Sequence, residues 1–480
     1  MKVVLVRPPF YALFGLTTPK MKTYPLNLLS LATYVRERSG HDVALVDGEN
    51  VSVPGLGPVG GSDSDPEQVM HRGIPRMVEI LADSEHALWQ ELDKRILSDH
   101  PDLVGITCNS GNMDTARIMV RRLKKQGLPV ILGGSHPTAL PEQSLKYTSA
   151  DMAAVGEGEL TLVRVLDARE GRDSLAQVPS LAWTDHGRVE LNARGPLIRD
   201  LNELPIPDRS FIDRSDYFGE VIMTGRGCPF KCGYCASRTI WGRTVRFRSV
   251  ESIVEELTIL RDAAEKDSTE TASSAQSLAE RPGRWVVKVL DDTFTVNRPR
   301  TLELLDQIVA RGLNCFEFTG GVRADTLNEA LVHKMRDANF RRVTLGVESG
   351  SPRILDMIHK GETNEDVKRA VKLLRQAGIH SHAFFMIGFP GETKEDVELS
   401  KRLIIEAQPD HVEINMVTPY PGTELFEKLI REDPEEISGW HRWFHQGMST
   451  HSEQLGYNLD EAYEEFLEFA RQYHASRNKA

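Results

Sequence analysis

A chain of 480 residues is too long for one hydrophobic core, so two or three domains are expected. Hydrophobic residues make up 40% and charged residues 27%, the mix of a soluble globular protein, and the net charge of −12 argues against a general affinity for nucleic-acid phosphates. No apolar run approaches the roughly 18 residues that cross a bilayer. Met1-Lys2-Val3-Val4-Leu5-Val6 is strand-like and lacks the features of a signal peptide, so a cytoplasmic protein is expected. Three of the five cysteines, Cys228, Cys232 and Cys235, lie together. A secreted framework would spread and pair its cysteines, so the cluster reads as metal ligands or redox groups.

In chain order, residues 1–165 alternate strand and helix signals. Strands are predicted at Val3–Val6, Val43–Val46, Leu103–Thr107, Val130–Leu132 and Met152–Val155. Helical spacing occupies Leu26–Arg38, about 85–98 and about 113–126. Residues 51–66, rich in Gly, Pro, Ser and Asp, read as a surface insertion. Such alternation implies an α/β unit with a parallel sheet covered on both faces. Residues 166–219, with Leu204-Pro205-Ile206-Pro207-Asp208, read as a surface linker.

From residue 220 the alternation restarts. Strands are predicted near 220–225, 285–290, 315–319, 342–347, 382–387 and 411–416, with helices between them. Six βα units point to a partial (βα)6 barrel over 220–420, with function at the carboxyl ends of its strands. Residues 265–283 read as a mobile loop, and 421–480 as a small helical, aromatic-rich cap. In that cap, Tyr463, Phe466, Phe469 and Tyr473 are spaced as a helix's packing face, whereas Trp440, His441, Trp443, Phe444 and His445 are irregular enough to help close a substrate cavity. Cys108 and Cys315 read as buried apolar thiols.

Cys228-Pro229-Phe230-Lys231-Cys232-Gly233-Tyr234-Cys235 follows the first barrel strand and Gly225-Arg226-Gly227. Three thiolates on one tight loop can ligate three irons of a [4Fe–4S] cluster and leave the fourth open for a cosubstrate. The other reading, zinc, calls for four closed ligands, usually in two pairs, and no histidine stands in this loop. The loop, including Tyr234 before its third cysteine, resembles the signature of the radical S-adenosylmethionine superfamily. That resemblance implies cleavage of S-adenosylmethionine to a 5′-deoxyadenosyl radical. Val347-Glu348-Ser349-Gly350 resembles the motif that binds the ribose or methionine portion. Ile387-Gly388-Phe389-Pro390-Gly391 resembles the motif that contacts adenine, so Tyr234, Glu348, Gly388, Pro390 and Gly391 are candidate cosubstrate residues. Leu290-Asp291-Asp292-Thr293-Phe294 ends the second strand, as in many members.

In the first unit, Leu132-Gly133-Gly134-Ser135-His136-Pro137-Thr138 opens a helix after an apolar strand, and Val104-Gly105-Ile106-Thr107-Cys108-Asn109-Ser110 ends its neighbour in small residues. They read as a slot for a nucleotide-like tail or, alternatively, as the ordinary turns of a Rossmann-like spacer. His136 before Pro137 reads as a turn residue. With Tyr24-Pro25-Leu26-Asn27-Leu28-Leu29 and Gly156-Glu157-Gly158-Glu159, these runs resemble the Rossmann-like cobalamin-binding domain fused to radical enzymes. Candidate corrinoid residues are Thr107, Asn109, Ser110, Gly133, Gly134, Gly156 and Glu157. Arg7-Pro8-Pro9-Phe10-Tyr11 stands where some relatives carry a cobalt-binding histidine, so cobalamin is expected to bind without a histidine ligand.

The family resemblance as a whole implies three cofactors: the [4Fe–4S] cluster, S-adenosylmethionine and cobalamin. It implies methyl transfer to an unactivated carbon of a small-molecule substrate, fed by an electron donor such as flavodoxin or ferredoxin. The alternative is a non-methylating radical reaction on the same scaffold, with or without functional cobalamin. No residue is singled out as the catalytic group.

Overall fold

A computed structural model of the chain describes residues 1–14, 22–51, 53, 66–270, 286–430, 437, 439–443 and 457–477. Most of the expected insertion at 51–66 and of the loop at 265–283 lies outside them, as do Phe444 and His445. The helix Val250–Glu270 runs into the start of that loop.

The first sheet contains β1 (Lys2–Arg7), β2 (Asp42–Asp47), β3 (Leu103–Thr107), β4 (Val130–Gly133), β5 (Met152–Ala154), β6 (Leu181–Asp185) and β7 (Arg188–Leu191), in the order β2-β1-β3-β4-β5-β6-β7. β1 to β5 are parallel. β1 shows why these strands read as unbroken apolar runs: Val4 and Val6 enter the core on one face, Val3 and Leu5 the core on the other. The strand order reverses between β1 and β3, which opens a crevice at their carboxyl ends.

The segment expected as a linker differs. β6 and β7 form an antiparallel hairpin that extends the first sheet past β5. Its turn, Asp185-His186-Gly187-Arg188, uses two positive φ angles, 44° at His186 and 81° at Gly187, as two-residue hairpin turns require. Beyond it the chain crosses the surface in three short turns, each begun by an aspartate (Asp200, Asp208, Asp213) whose carboxylate accepts a backbone N–H.

The second unit begins with β8 (Glu220–Ile222). β9 (Gly225–Arg226) and β10 (Arg246–Phe247) follow as a short antiparallel pair. Then come β11 (Val286–Val289), β12 (Glu317–Val322), β13 (Phe340–Glu348), β14 (His380–Ile387) and β15 (His411–Met416). The sheet runs β15-β14-β13-β12-β11-β8, all parallel, a partial (βα)6 barrel. Val343, Leu345, Val347, Phe385, Ile387 and Ile414 pack against the outer helices. By strand alternation, Thr344, Gly346, Glu348, His382, Met386, Glu413 and Asn415 therefore face inward.

Six strands leave two sheet edges, and the first unit meets one directly. At β8, Phe218 N–H donates to Lys22 C=O at 3.0 Å, and the buried Tyr24 hydroxyl donates to Glu220 (2.9 Å) and accepts from Val221 N–H (2.6 Å). On the β15 side, the half-exposed Tyr11 lies within electrostatic reach of Glu413, and Tyr420 within reach of Tyr11.

The C-terminal expectations divide. The helix Leu459–Arg477 lays Tyr463, Phe466, Leu467 and Ala470 into the barrel core, as their spacing predicts. Trp440 and Trp443 close no substrate cavity: both are buried in the core of the first unit, where Trp440 stands edge-on to His136, with ring centroids 4.4 Å apart. His441 Nδ1 lies 2.6 Å from Asp114 and holds the segment there. Cys108 is buried, but Cys315 is exposed, because it sits in the turn Leu313–Cys315 before β12 rather than in the strand. Among the described residues no helix is long and apolar enough to cross a membrane.

Candidate active site and cofactor sites

The cysteines occupy a loop whose neck is the β9–β10 pair, Arg226 opposite Arg246. Gly227 has φ 100°, and a Cβ there would lie 2.2 Å from the Thr244 carbonyl, so only glycine closes this neck. Asp292 accepts Gly227 N–H at 3.0 Å and Asp291 accepts Thr224 N–H at 2.6 Å, so the acidic pair after β11 anchors the base of the loop. The amides of Phe230 and Ser237 point at Cys228 and Cys235, an arrangement suited to a negatively charged cluster. Burial pushes the Cys235 thiol up to about 11. Among the described residues no group of three or more His, Cys, Asp or Glu is drawn together as around a single metal ion; the ligands of a cubane each attach to a different iron.

Tyr234 turns from this loop toward the strand ends. Its hydroxyl donates to Glu348 Oε1 at 2.7 Å, and its ring stands edge-on to Phe389. Lys360 Nζ donates to the same Oε1 at 3.1 Å, while Oε2 receives no hydrogen bond from any described residue. Burial alone would lower the Lys360 ammonium, but Glu348 and Glu362 more than offset it, so Lys360 stays charged. Glu348 reaches this position through a left-handed φ of 67° at a bulge in β13. Gly346 leaves the space: a Cβ there would lie 2.7 Å from Glu348 Oε1. Gly388, Pro390 and Gly391 form the turn after β14 beside Phe389, with Gly388 at φ 102°. The structure thus brings Tyr234 and Glu348 together, and adds Lys360, which sequence reasoning missed. Its signal was a lysine in the Lys360-Gly361-Glu362 turn.

A cavity of about 420 Å³ runs from the carboxyl edge of the first sheet along the face that carries Leu5, Ile131 and Leu162. Gly105 and Gly133 make the room, because they occupy the positions one step beyond Leu103 and Ile131 on that face. A Cβ at Gly133 would meet nothing within 4 Å. Thr107, Asn109, Gly133, Gly134, Gly156 and Glu157 line the cavity as expected. Ser110 does not: it is buried behind the strand end, with its Oγ 3.0 Å from His136 Nδ1. His136 Nε2 lies 3.0 Å from Gln143 Oε1, and burial holds the imidazole down at about 4, so this histidine is structural. No histidine stands among the residues lining the cavity.

The opposite wall belongs to the second unit and was not foreseen. Arg226, Ile240 and Trp241, all on the cysteine loop or its neck, line the same cavity. Arg226 donates to Glu157 (2.7 Å) and Glu159 (2.6 Å), and Arg246 donates to Glu157 (2.9 Å). Burial would raise the Glu159 carboxyl, but the Arg226 guanidinium beside it holds it below the usual range.

Two family models match the chain: the radical SAM superfamily over residues 222–404 and the B12 binding domain over 13–166. An uncharacterised methyltransferase of Pyrococcus horikoshii is 31% identical over 92% of this chain and 86% of its own length. The chain belongs to the cobalamin-binding radical S-adenosylmethionine family. Another relative in sequence, the cytidylyl-2-hydroxyethylphosphonate methyltransferase of Streptomyces wedmorensis, is 26% identical over 90% of this chain and 83% of its own. The anaerobic magnesium-protoporphyrin IX monomethyl ester cyclase of Cereibacter sphaeroides is 28% identical over 73% of this chain and 56% of its own. In fold, the chain is similar to the radical S-adenosylmethionine methyltransferase TsrM of Kitasatospora setae, solved with cobalamin and a [4Fe–4S] cluster: TM-score 0.67, 19% identity, 94% of this chain and 85% of that one.

As a member of this family the chain takes a [4Fe–4S] cluster, S-adenosylmethionine and cobalamin, and its residues fit all three. Cys228, Cys232 and Cys235 offer a donor set for a cluster with one open iron. Glu348 has an oxygen available for the cosubstrate. The glycine-walled cavity is lined mostly by apolar side chains and has room for a nucleotide tail, and a bulky side chain at Gly133 would project into it.

Proposed function

We propose that the chain transfers a methyl group to an unactivated carbon of a small-molecule substrate. When bound, the cluster supplies the electron that converts S-adenosylmethionine to a 5′-deoxyadenosyl radical, and the corrinoid supplies the methyl group. The protein's task is to orient and to exclude water. Tyr234 and Lys360 fix Glu348, whose Oε2 would accept a hydrogen bond from the cosubstrate. The Gly388–Gly391 turn leaves room for adenine. Glu413 and Asn415 on the inner face of β15, with Tyr11 within electrostatic reach of Glu413, would suit a substrate with polar groups.

The observation that carries this reading is the shared wall: the slot for the corrinoid tail is closed by Arg226, Ile240 and Trp241 of the loop that holds the cysteines. Slot, loop and the first unit's contacts at β8 support two cofactors acting on one substrate. Exposed Lys231, Arg238 and Arg243 on the cysteine loop support docking of an acidic flavodoxin or ferredoxin as electron donor. Five unpaired thiols support a reducing, cytoplasmic setting.

The test is anaerobic reconstitution followed by turnover with S-adenosylmethionine deuterated in its methyl group. About four irons and one corrinoid per chain are expected, with the Cys228/Cys232/Cys235→Ala protein losing the iron. Deuterated methyl in the product supports methyl transfer. 5′-Deoxyadenosine formation without label in the product would favour the non-methylating reaction that the cyclase relative suggests.

A further inference from the structure

We infer that Arg226 couples the two cofactor sites, so that assembly of the cluster tightens cobalamin binding. The inference rests on the reading that both cofactors bind, and adds an energetic link between them.

The cysteine loop is one piece of chain with two duties. Its first half, 228–235, carries the thiols. Its second half carries Ile240 and Trp241, which wall the corrinoid slot. The two-residue β9–β10 ladder closes its neck, and Arg226 sits in that ladder, two residues before Cys228. The Arg226 guanidinium spans two carboxylates with different nitrogens, Glu157 through Nη1 and Glu159 through Nη2. Glu157 immediately precedes the helix Gly158–Arg169, whose Leu162 also lines the slot. Arg226 and Arg246 lie over Trp241 at 5.3 and 5.8 Å from its ring centre and hold it against the slot.

Glu157, Glu159, Arg226 and Arg246 are all nearly buried: their side chains retain 6%, 7%, 10% and 6% of their exposure. They form a balanced set, two positive against two negative, with little water to screen them. A shift of the loop would therefore reach the slot. Cluster assembly ties three loop positions to one rigid body, which orders Ile240 and Trp241 before the corrinoid arrives. Less ordering then remains to be done on binding, which appears as affinity. Linkage requires the converse: bound cobalamin tightens the protein's hold on the cluster by the same equilibrium factor.

The experiment titrates hydroxocobalamin into the full-length protein, before and after anaerobic cluster assembly, by absorbance with iron counted in each sample. Cluster-loaded protein should bind about fivefold or more tightly. Arg226→Lys keeps the charge but not the two-armed grip, so its ratio should fall toward one. Trp241→Ala, which leaves the ion pairs in place, should lower the ratio as well and serves if the arginine variant does not fold. A variant that merely damaged the slot would weaken both states equally and leave the ratio unchanged. Equal affinities in the wild-type protein, or an unchanged ratio in both variants, would overturn the coupling. Absence of binding in both states would overturn the corrinoid reading itself and the coupling with it.

Discussion

Glu392 follows the Gly388–Gly391 turn and accepts Gly388 N–H at 2.6 Å, Phe389 N–H at 3.3 Å and the Tyr457 hydroxyl at 2.8 Å. These donors favour the carboxylate, yet burial outweighs them and pushes the group up to about 7 from 4.5. A carboxyl raised on folding contributes stability that is complete below the unfolded value and lost as pH rises through the folded one. Between pH 4.5 and 7 this amounts to about 3 kcal/mol, from roughly 1.4 kcal/mol per unit. Glu392→Gln keeps an acceptor oxygen and the shape but cannot ionise. Its stability relative to wild type should rise by about 1–3 kcal/mol between pH 5 and 8, several degrees in the melting temperature of the barrel. His136, held near 4 by burial, acts in the opposite sense below pH 6.5, but it is common to both proteins and cancels in the difference. Scanning calorimetry of the pair across pH is the assay. A difference that stays flat from pH 5 to 8 would refute the argument.

Gly133→Leu should fold normally, since nothing lies within 4 Å of a Cβ there, yet fill the slot and lower cobalamin affinity at least tenfold; unchanged affinity in the corrinoid titration would rule out the slot. Glu348→Gln should weaken S-adenosylmethionine binding by about 1–3 kcal/mol, measured calorimetrically, with iron content intact. Cobalt(II) cobalamin on the protein should show electron paramagnetic resonance lines without nitrogen splitting, because the slot would hold the tail base away from cobalt and no histidine lines it. A clear triplet pattern would contradict that.

What was legible in the sequence is what local spacing encodes. The three cysteines, the strand-ending glycines and the alternation of apolar strands with helices in both units all depend on neighbours a few residues away. Contacts between distant positions were not legible. Glu157 was picked out as a glycine-flanked residue near a corrinoid, but its partner Arg226 is 69 residues on, and no spacing rule links them. Thr107–Ser110 looked uniform, yet only the fold turns Thr107 and Asn109 to the cavity and Ser110 to His136. The β6–β7 hairpin was missed because its strands span five and four residues and its turn is His-Gly rather than Asn-Gly. Trp440 read as a cavity wall because irregular aromatics carry no face. Its face is set by the core of a unit some three hundred residues earlier.

The buried ion pairs at the junction of the two units form a pattern. Arg7 grips Asp47 inside the first unit, and Asp47 also accepts the Tyr217 hydroxyl at 2.6 Å; Arg214 meets Glu220 and Arg209 meets Glu256 between the connecting segment and the second unit; and Arg226 and Arg246 of the second unit meet Glu157 and Glu159 of the first. Such pairs are poor sources of stability, since desolvation consumes most of their attraction and apolar residues of similar size would hold the units together as well. Their geometry is what apolar contacts lack: a two-armed guanidinium tolerates one orientation of its carboxylates, while a hydrophobic face tolerates sliding. A reaction between groups held by different units is sensitive to displacements of about an ångström. Ionic contacts concentrated at this junction therefore suit a protein that must keep its cluster loop and its corrinoid slot in one fixed register.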